Sequence, residues 1–446
     1  MSTKQLTQLL KPAMKAEELN IPIGIVQDII LRMLFNEGNV SVGRFSQVTG
    51  VHARIIDDIL AQMKQEHQVE VTKAGSLGSI SFTYGLTERG SKRAHDAFDR
   101  SRYVGRAPVP IETYNEVILL QTKITQRISP AQVKQAISHL ILPENFHRKI
   151  GPAVNAGTSI FLYGPPGNGK TTIAQAVAEL LGRDSAIWVP EAVTAGGQII
   201  RVYDPLVHVP IAEDDVPVHT ASFQTEGKPE IKFDKRWMLF QRPAVMVGGE
   251  LTMDSLELRY EPLAKVYEAP LQMKANGGMF LIDDFGRQQI SPHELLNRWI
   301  VPLESGIDFL RLQSGQTLEV PFKELIVFST NLDPGQLVDG AFMRRIQMKV
   351  EVGGPDEKMF YQIFTGACKA YQVPFDKQSF VHLLQEWYRK SNRVMQAVHP
   401  RDIVKTVVAI CEYESMTPYL SPELIDEACD SYFVDGNMAA TLSDLK

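Results

Sequence analysis

The chain has 446 residues, an apolar share of 44% and a net charge of −6, enough for about three domains of ~150 residues and a sizeable core. No stretch approaches the ~20 continuous apolar residues of a membrane span, and the start MSTKQLTQLL lacks the layout of a secretory signal, so a cytoplasmic protein without membrane insertion is expected. The spread of charge argues against a nucleic-acid protein held mainly by bulk electrostatics while leaving room for a local patch, and Cys368, Cys411 and Cys429, free of CxxC spacing, read as buried helix thiols rather than a disulfide framework or zinc site.

The first hundred residues set out a small domain. Ile25, Ile29, Ile30, Met33 and Leu34 recur at helical spacing and stop at Glu37-Gly38; Ser41 caps a short helix ending at Thr49-Gly50; His52 to Glu66 forms a third helix with Ile55, Ile59 and Met63 on one face. Two β-rich runs follow, Val69 to Lys73 and Ser79 to Tyr84, around a tip at Ala74 to Gly78, and Thr87 caps a last helix. This order, with the phrase YGLTERGSKRA, resembles a winged helix-turn-helix. Arg102 to Pro110 mixes glycine and proline without periodicity, which suits a linker, placed at residues 103–132. Beyond it, Ser159 to Tyr163, Met279 to Ile282 and Leu325 to Phe328 are short apolar runs between helical segments, the pattern of a parallel sheet covered by helices. After Pro355 the chain reads as helical to its end.

Gly164-Pro165-Pro166-Gly167-Asn168-Gly169-Lys170-Thr171-Thr172 follows the strand SIFLY and opens a helix, the context in which GxxxxGK followed by serine or threonine cradles phosphates. The glycines let N–H groups converge on phosphate oxygens at a helix N-terminus, Lys170 reaches the β/γ-phosphates, and the Thr171 hydroxyl is placed for Mg2+. MFLIDD then ends an apolar strand in Asp283 and Asp284, at the sheet edge where open α/β sheets bind ligands. Asp283 is expected to hold the metal through water, and Asp284 to orient or deprotonate an attacking water.

Taken in order, these motifs and those that follow resemble the AAA+ ATPase superfamily over roughly Val133 to Met438. The resemblance implies a P-loop α/β core at 133–352 with an insertion at about 190–265, a helical lid at 353–446, the winged-helix domain at 1–102, and ATP and Mg2+ as ligands. It also implies a sensor at Asn331 and an arginine finger in Ala341 to Ile346, with Arg345 favoured over Arg344 for its place before the apolar Ile346. In the lid, Arg401 of His399-Pro400-Arg401-Asp402 corresponds to a second sensor, while His399 reads as structural. Asp284 stands where most members carry glutamate, which raises a slow ATP-operated switch as one reading.

More than a hundred residues separate Lys170 from Asp283, so an insertion is expected between the second core strand and Asp283. RPAVMVGGELTMDSL, ANGGMFLIDDFGR, the helix at Ser291 to Gly306 and the hairpin Ile307 to Val320 resemble the helix-2-insert branch: enhancer-binding ATPases, magnesium chelatase, MoxR proteins and replicative MCM helicases. The GAFTGA loop that grips a sigma factor is absent. Asp204, His208, Glu213, Asp214, Asp215 and His219 fit no metal-ligand spacing and read as a solvated acidic loop. The resemblance further implies a homo-oligomer, a hexamer by family resemblance, and the first reading is a remodelling ATPase that recognises a protein partner through the winged helix. The rival is a DNA-directed ATPase. Against it, helix His52 to Glu66 carries Asp57 and Asp58 with only Arg54 and Lys64 as cations; for it, Arg89, Lys92, Arg93, Arg100 and Arg102 could form a compensating patch.

Overall fold

A computed structural model describes residues 2–75, 81–124, 127–157, 159–183, 185–211, 233–337 and 340–433. A short α1 (Ser2–Leu9) precedes α2 (Ile23–Glu37), which buries Val26, Ile29, Ile30, Met33 and Leu34. Strand β1 (Val40–Ser41) leads into α3 (Val42–Thr49), where the Ser41 hydroxyl accepts from the Arg44 N–H at 3.2 Å and Gly50 closes the helix at φ +69°. Helix α4 (Ala53–Gln65) buries Ile55, Ile59 and Met63, the face its spacing foretold.

The hairpin consists of β2 (Val69–Lys73) and β3 (Thr83–Leu86), with β3 central in the order β1-β3-β2. Among the described residues its second strand runs from Thr83, and Tyr84 pairs with Val40 on one side and Val71 on the other; residues 76–78 of the expected tip and 79–80 of the expected strand lie outside the described residues. Helix α5 (Glu88–Arg100) is capped by Thr87, which accepts from the Gly90 N–H at 3.0 Å.

Of residues 103–132, expected as a linker, 103–124 are instead built into the molecule. Tyr103 is buried and its hydroxyl donates to Glu191 at 3.0 Å; β4 (Val109–Pro110) pairs in parallel with a later strand; α6 (Ile111–Ile124) buries Tyr114, Val117 and Ile118 and carries α1 on its surface. The proline and glycine content that suggests a linker here only bends the chain between two packed elements.

Helices α7 (Pro130–Ala136) and α8 (Phe146–Ala156) lead to β5 (Ser159–Tyr163) and α9 (Lys170–Arg183). The chain then leaves the core through β6 (Ala186–Pro190), β7 (Ala192–Ala195) and β8 (Gln198–Arg201), and returns by β9 (Trp237–Gln241) to β10 (Ala244–Val247). A second excursion holds β11 (Arg259–Glu261), β12 (Val266–Glu268) and α10 (Leu271–Lys274) before β13 (Met279–Ile282). After α11 (Pro292–Ser305) and the hairpin β14 (Ile307–Arg311) and β15 (Thr317–Pro321) come β16 (Leu325–Thr330), the short α12 (Pro334–Leu337) and α13 (Gly340–Met343), and β17 (Met348–Glu351).

The core is an α/β fold whose five strands are all parallel, in the order β10-β13-β16-β5-β17. The larger excursion therefore falls between α9 and the second core strand, β10, and only the smaller one between β10 and Asp283. A single insertion between the second strand and Asp283 does not describe this chain, since Ala244 to Val247 pairs in register with Met279 to Ile282. The excursions meet in a separate sheet, β11-β12-β8-β7-β4, whose core includes Val193, Ile200, Tyr267, Leu310, Leu318 and the inner face of α6. Asp204 there is paired with Lys274 at 2.8 Å and His208 is buried; residues 213–219 of the expected acidic loop lie outside the described residues.

Helices α14 (Glu357–Ala370), α15 (Lys377–His382), α16 (His399–Tyr413) and α17 (Pro422–Tyr432) form the C-terminal body, with Cys368, Cys411 and Cys429 buried. Among the described residues no helix is long and apolar enough to cross a membrane.

The N-terminal body is fastened by buried polar contacts to the segment that leads into β9. Arg236 and Asp234 are paired at 2.7 Å with both side chains under a tenth exposed, and Arg236 also donates to the carbonyls of Leu19 (3.1 Å) and Pro108 (3.4 Å). Removing one member of such a pair strands the other, so Arg236→Ala should cost about 3–5 kcal/mol. Chemical unfolding against the parent checks this; a midpoint within error of the parent's would refute the fastening.

Candidate functional site

Strands β5, β16 and β13 are neighbours, so their C-terminal ends form one edge, and the loop after β5 lies beside the residues that leave the other two. Gly164, Gly167 and Gly169 take φ of +138°, +74° and +82°, conformations that favour glycine. At Gly164 and Gly167 space is limiting as well: an added Cβ would run into the Val352 carbonyl at the first and Val398 at the second. Pro165 and Pro166 are exposed, Asn168 and Lys170 are buried, and Thr172 points outward from the first turn of α9.

Lys170 donates to the carbonyls of Gly164 (2.8 Å) and Pro165 (2.9 Å). Burial lowers its pKa, opposed by the nearby carboxylates of Asp283 and Asp284. Thr171 donates from Oγ1 to Asp283 Oδ2 at 2.6 Å, so the hydroxyl and carboxylate expected to share a divalent cation already touch. This oxygen-only pair fits a hard cation such as Mg2+. Asn331 donates from Nδ2 to Asp284 Oδ1 at 2.9 Å, which joins the end of β16 to the end of β13.

Asp284 itself lies in the left-handed region, at φ +47°. What holds it there went unseen in the sequence: the Gln288 side chain donates to the carbonyls of Asp283 (2.8 Å) and Asp284 (3.3 Å) and accepts from the Gly286 N–H (2.8 Å). Phe285 closes the turn, its N–H on the Ser329 carbonyl at 2.7 Å and its carbonyl accepting from the Thr330 hydroxyl at 2.7 Å. A glutamine four residues beyond a carboxylate carries no signal of its own in a sequence.

Lys170, Thr171, Asp283, Asp284 and Asn331 thus converge. The arginines do not join them within this chain. The carbonyl of Arg345 accepts from Ser159, at the start of β5, so Arg345 lies at the edge of the sheet opposite the phosphate loop; its side chain is bound to Glu304 at 2.6 Å. Arg344 is exposed and donates to the Gly340 carbonyl at 3.3 Å. Arg401 is exposed on the first turn of α16 and donates to Asp402 at 3.0 Å.

Residues 160–200 match the sequence family described as ATPase family associated with various cellular activities (AAA). The matched segment runs from β5 through the phosphate loop and α9 to β8. Residues 356–431 match a family described as Domain of unknown function (DUF8689). No curated protein matches the chain. Among solved structures, a RuvB mutant from Thermotoga maritima is 13% identical, covers 67% of this chain and 73% of its own, and superposes with a TM-score of 0.39. NtrX from Brucella abortus, in complex with ATP, is 14% identical, with 75% of this chain and 67% of that one covered and a TM-score of 0.37.

Beside the loop, His399 opens α16 in a ring of aromatics. Its Nδ1 is hydrogen-bonded to the Tyr388 hydroxyl at 2.8 Å, and burial pulls its pKa from 6.5 down to about 4, which favours the neutral imidazole. The unfolded chain therefore takes up this proton first: the stabilisation is complete above about pH 6.5 and is lost as pH falls towards about 4. Urea unfolding at about pH 7 and about pH 4.5 should show the parent losing ~2 kcal/mol more than His399→Gln does. Equal losses in the two proteins would contradict the assignment.

Proposed function

We propose that this chain is an ATP-binding and ATP-hydrolysing AAA+ ATPase of the cytoplasm, active as a homo-oligomeric ring, a hexamer by resemblance, that remodels or regulates a protein partner. The observation that carries the reading is the meeting of Lys170, Thr171, Asp283, Asp284 and Asn331 at one sheet edge. Loop N–H groups and the α9 N-terminus receive the phosphates, and Lys170 exchanges the carbonyls of Gly164 and Pro165 for the β/γ-phosphate oxygens. Thr171 and Asp283 would hold Mg2+, which when bound would neutralise phosphate charge. Asp284, kept in place by Asn331 and the Gln288 turn, orients the attacking water and takes its proton. The alternative reading, a slow ATP-operated switch, rests on Asp284, one methylene shorter than glutamate.

Arg345 supports the ring. Lying at the edge opposite its own phosphate loop, it can serve only the site of an adjacent subunit, where such a finger is worth ~10³–10⁵ in rate.

The protein-partner reading is favoured over DNA by the setting of α4. The helix carries Asp57 and Asp58, and the turn at Gly50 just before it packs so closely on Lys235 that an added Cβ would sit 2.7 Å from that residue's carbonyl. In a winged helix-turn-helix this is the end that would enter a major groove.

Lys170→Ala should weaken ATP binding about tenfold or more, since a charge-assisted hydrogen bond is worth ~1.5–3 kcal/mol. Nucleotide titration decides it, and parental affinity would remove the phosphate-loop assignment. Arg345→Ala should keep ATP affinity while losing most turnover. Mixed with Asp284→Ala subunits it should regain part of that turnover, because some interfaces then pair an intact carboxylate with an intact finger. A monomeric, fully active parent with no rescue on mixing would sink the ring.

A further inference from the structure

The segment Met395 to Val398, which leads into α16, lies directly on the phosphate loop. The Val398 N–H donates to the Gly167 carbonyl at 2.8 Å, and the Ala397 N–H donates to Asn168 Oδ1 at 3.0 Å. The other end of the same amide, Asn168 Nδ2, donates to the Pro165 carbonyl at 3.4 Å, and the residue is 4% exposed. The approach is tight on both sides: an added Cβ on Gly167 would lie 2.7 Å from Val398, and one on Gly354 would meet the Met395 carbonyl. Both bonds from the segment are accepted by the loop, through a carbonyl and a side-chain oxygen. They spend none of the loop N–H groups, so the contact is compatible with phosphates bound on the loop.

We infer that Asn168 is a positioning residue that ties the phosphate loop to the C-terminal body, carrying each rearrangement of the loop into α16 and Arg401. The inference rests on the ATPase reading above. Its chemistry is specific to a primary amide. The side chain must accept from Ala397 while donating back to Pro165; a carboxylate can do only the first, and an alanine neither. Movement passed to Ala397 reaches His399 two residues on, and His399 is held by Tyr388 and packed against Phe433, so the helices behind α16 follow. A loop that shifts when phosphates arrive or leave therefore swings Arg401 without any contact between Arg401 and the loop itself.

The test uses the full chain carrying Asn168→Ala or Asn168→Asp, with amide hydrogen exchange of the 395–399 segment measured without nucleotide and with a slowly hydrolysed ATP analogue, beside ATP affinity and turnover. In Asn168→Ala, exchange at Ala397 should quicken about three- to tenfold, the range set by loss of one hydrogen bond, and kcat should fall while ATP affinity changes less than about threefold. Asn168→Asp keeps the acceptor, so protection of Ala397 without nucleotide should survive in it. Parental exchange and kcat in Asn168→Ala would overturn the inference, as would loss of protection in Asn168→Asp, or a loss in Asn168→Ala spread evenly over the C-terminal helices. Lys170→Ala run alongside separates the two claims. If it binds ATP like the parent, the nucleotide site fails; if it does not, and Asn168→Ala behaves as the parent, only the role of Asn168 fails.

Discussion

The hydrogen bond from Thr171 to Asp283 spans a gap of 112 residues in the chain and only 2.6 Å in space, and most of the site depends on the arrangement that permits it. Two strands of a parallel sheet end on the same edge, and β16 between them adds Asn331 from the third. The strands are buried on both faces, so their register is held by packing: Phe161, Phe280, Phe285, Trp299 and Phe328 form one aromatic cluster on the face of the sheet opposite α9. Such close packing leaves little freedom for the carboxylates at the strand ends. A change in register of one residue would turn Asp283 to the other face of the sheet.

The same constraint gives the two sides of the sheet different work. Phosphate-loop chemistry collects at the C-terminal ends of the strands, while Arg345 and its partner Glu304 lie at the N-terminal ends. Glu304 is on α11, which runs through Gly306 straight into the hairpin β14–β15, where Ile307 and Phe309 are exposed. The residues facing outward from the core are therefore mechanically continuous with the elements that hold the site.

Two bodies flank this core, and they are attached differently. The N-terminal body is fixed to the excursion segments through Arg236, Tyr103 and the Ala107 N–H on the Thr49 carbonyl, contacts that are buried and polar. Burying such groups is costly unless each finds its partner, so the orientation is specified rather than loosely held. The C-terminal body instead meets the core at the phosphate loop, through backbone and one amide side chain. A neutral His399, kept so by burial, packs the start of α16 among Tyr388, Tyr432 and Phe433.

Much of this was legible in the order of residues. The strand-loop-helix around Lys170, the apolar run into Asp283 and Asp284, the capped helix at Ser291 with its following hairpin, and the helices of the first hundred residues all announce themselves by local rules: glycine where φ is positive, serine or threonine at a cap, a period set by one buried face. Tertiary structure alone decided what local rules do not encode. Ala244 to Val247 reads as any apolar run, and becomes the second core strand only because it pairs with Met279 to Ile282. Residues 109–124 fall in a stretch that reads as a linker and are a strand and a buried helix, because partners for them lie more than sixty residues away, as at Gln121 and Trp188. Gln288 and the far end of the Asn168 amide act through backbone atoms of other segments, and a backbone N–H or carbonyl is the same in every sequence; which one a side chain meets is settled only when the chain has folded.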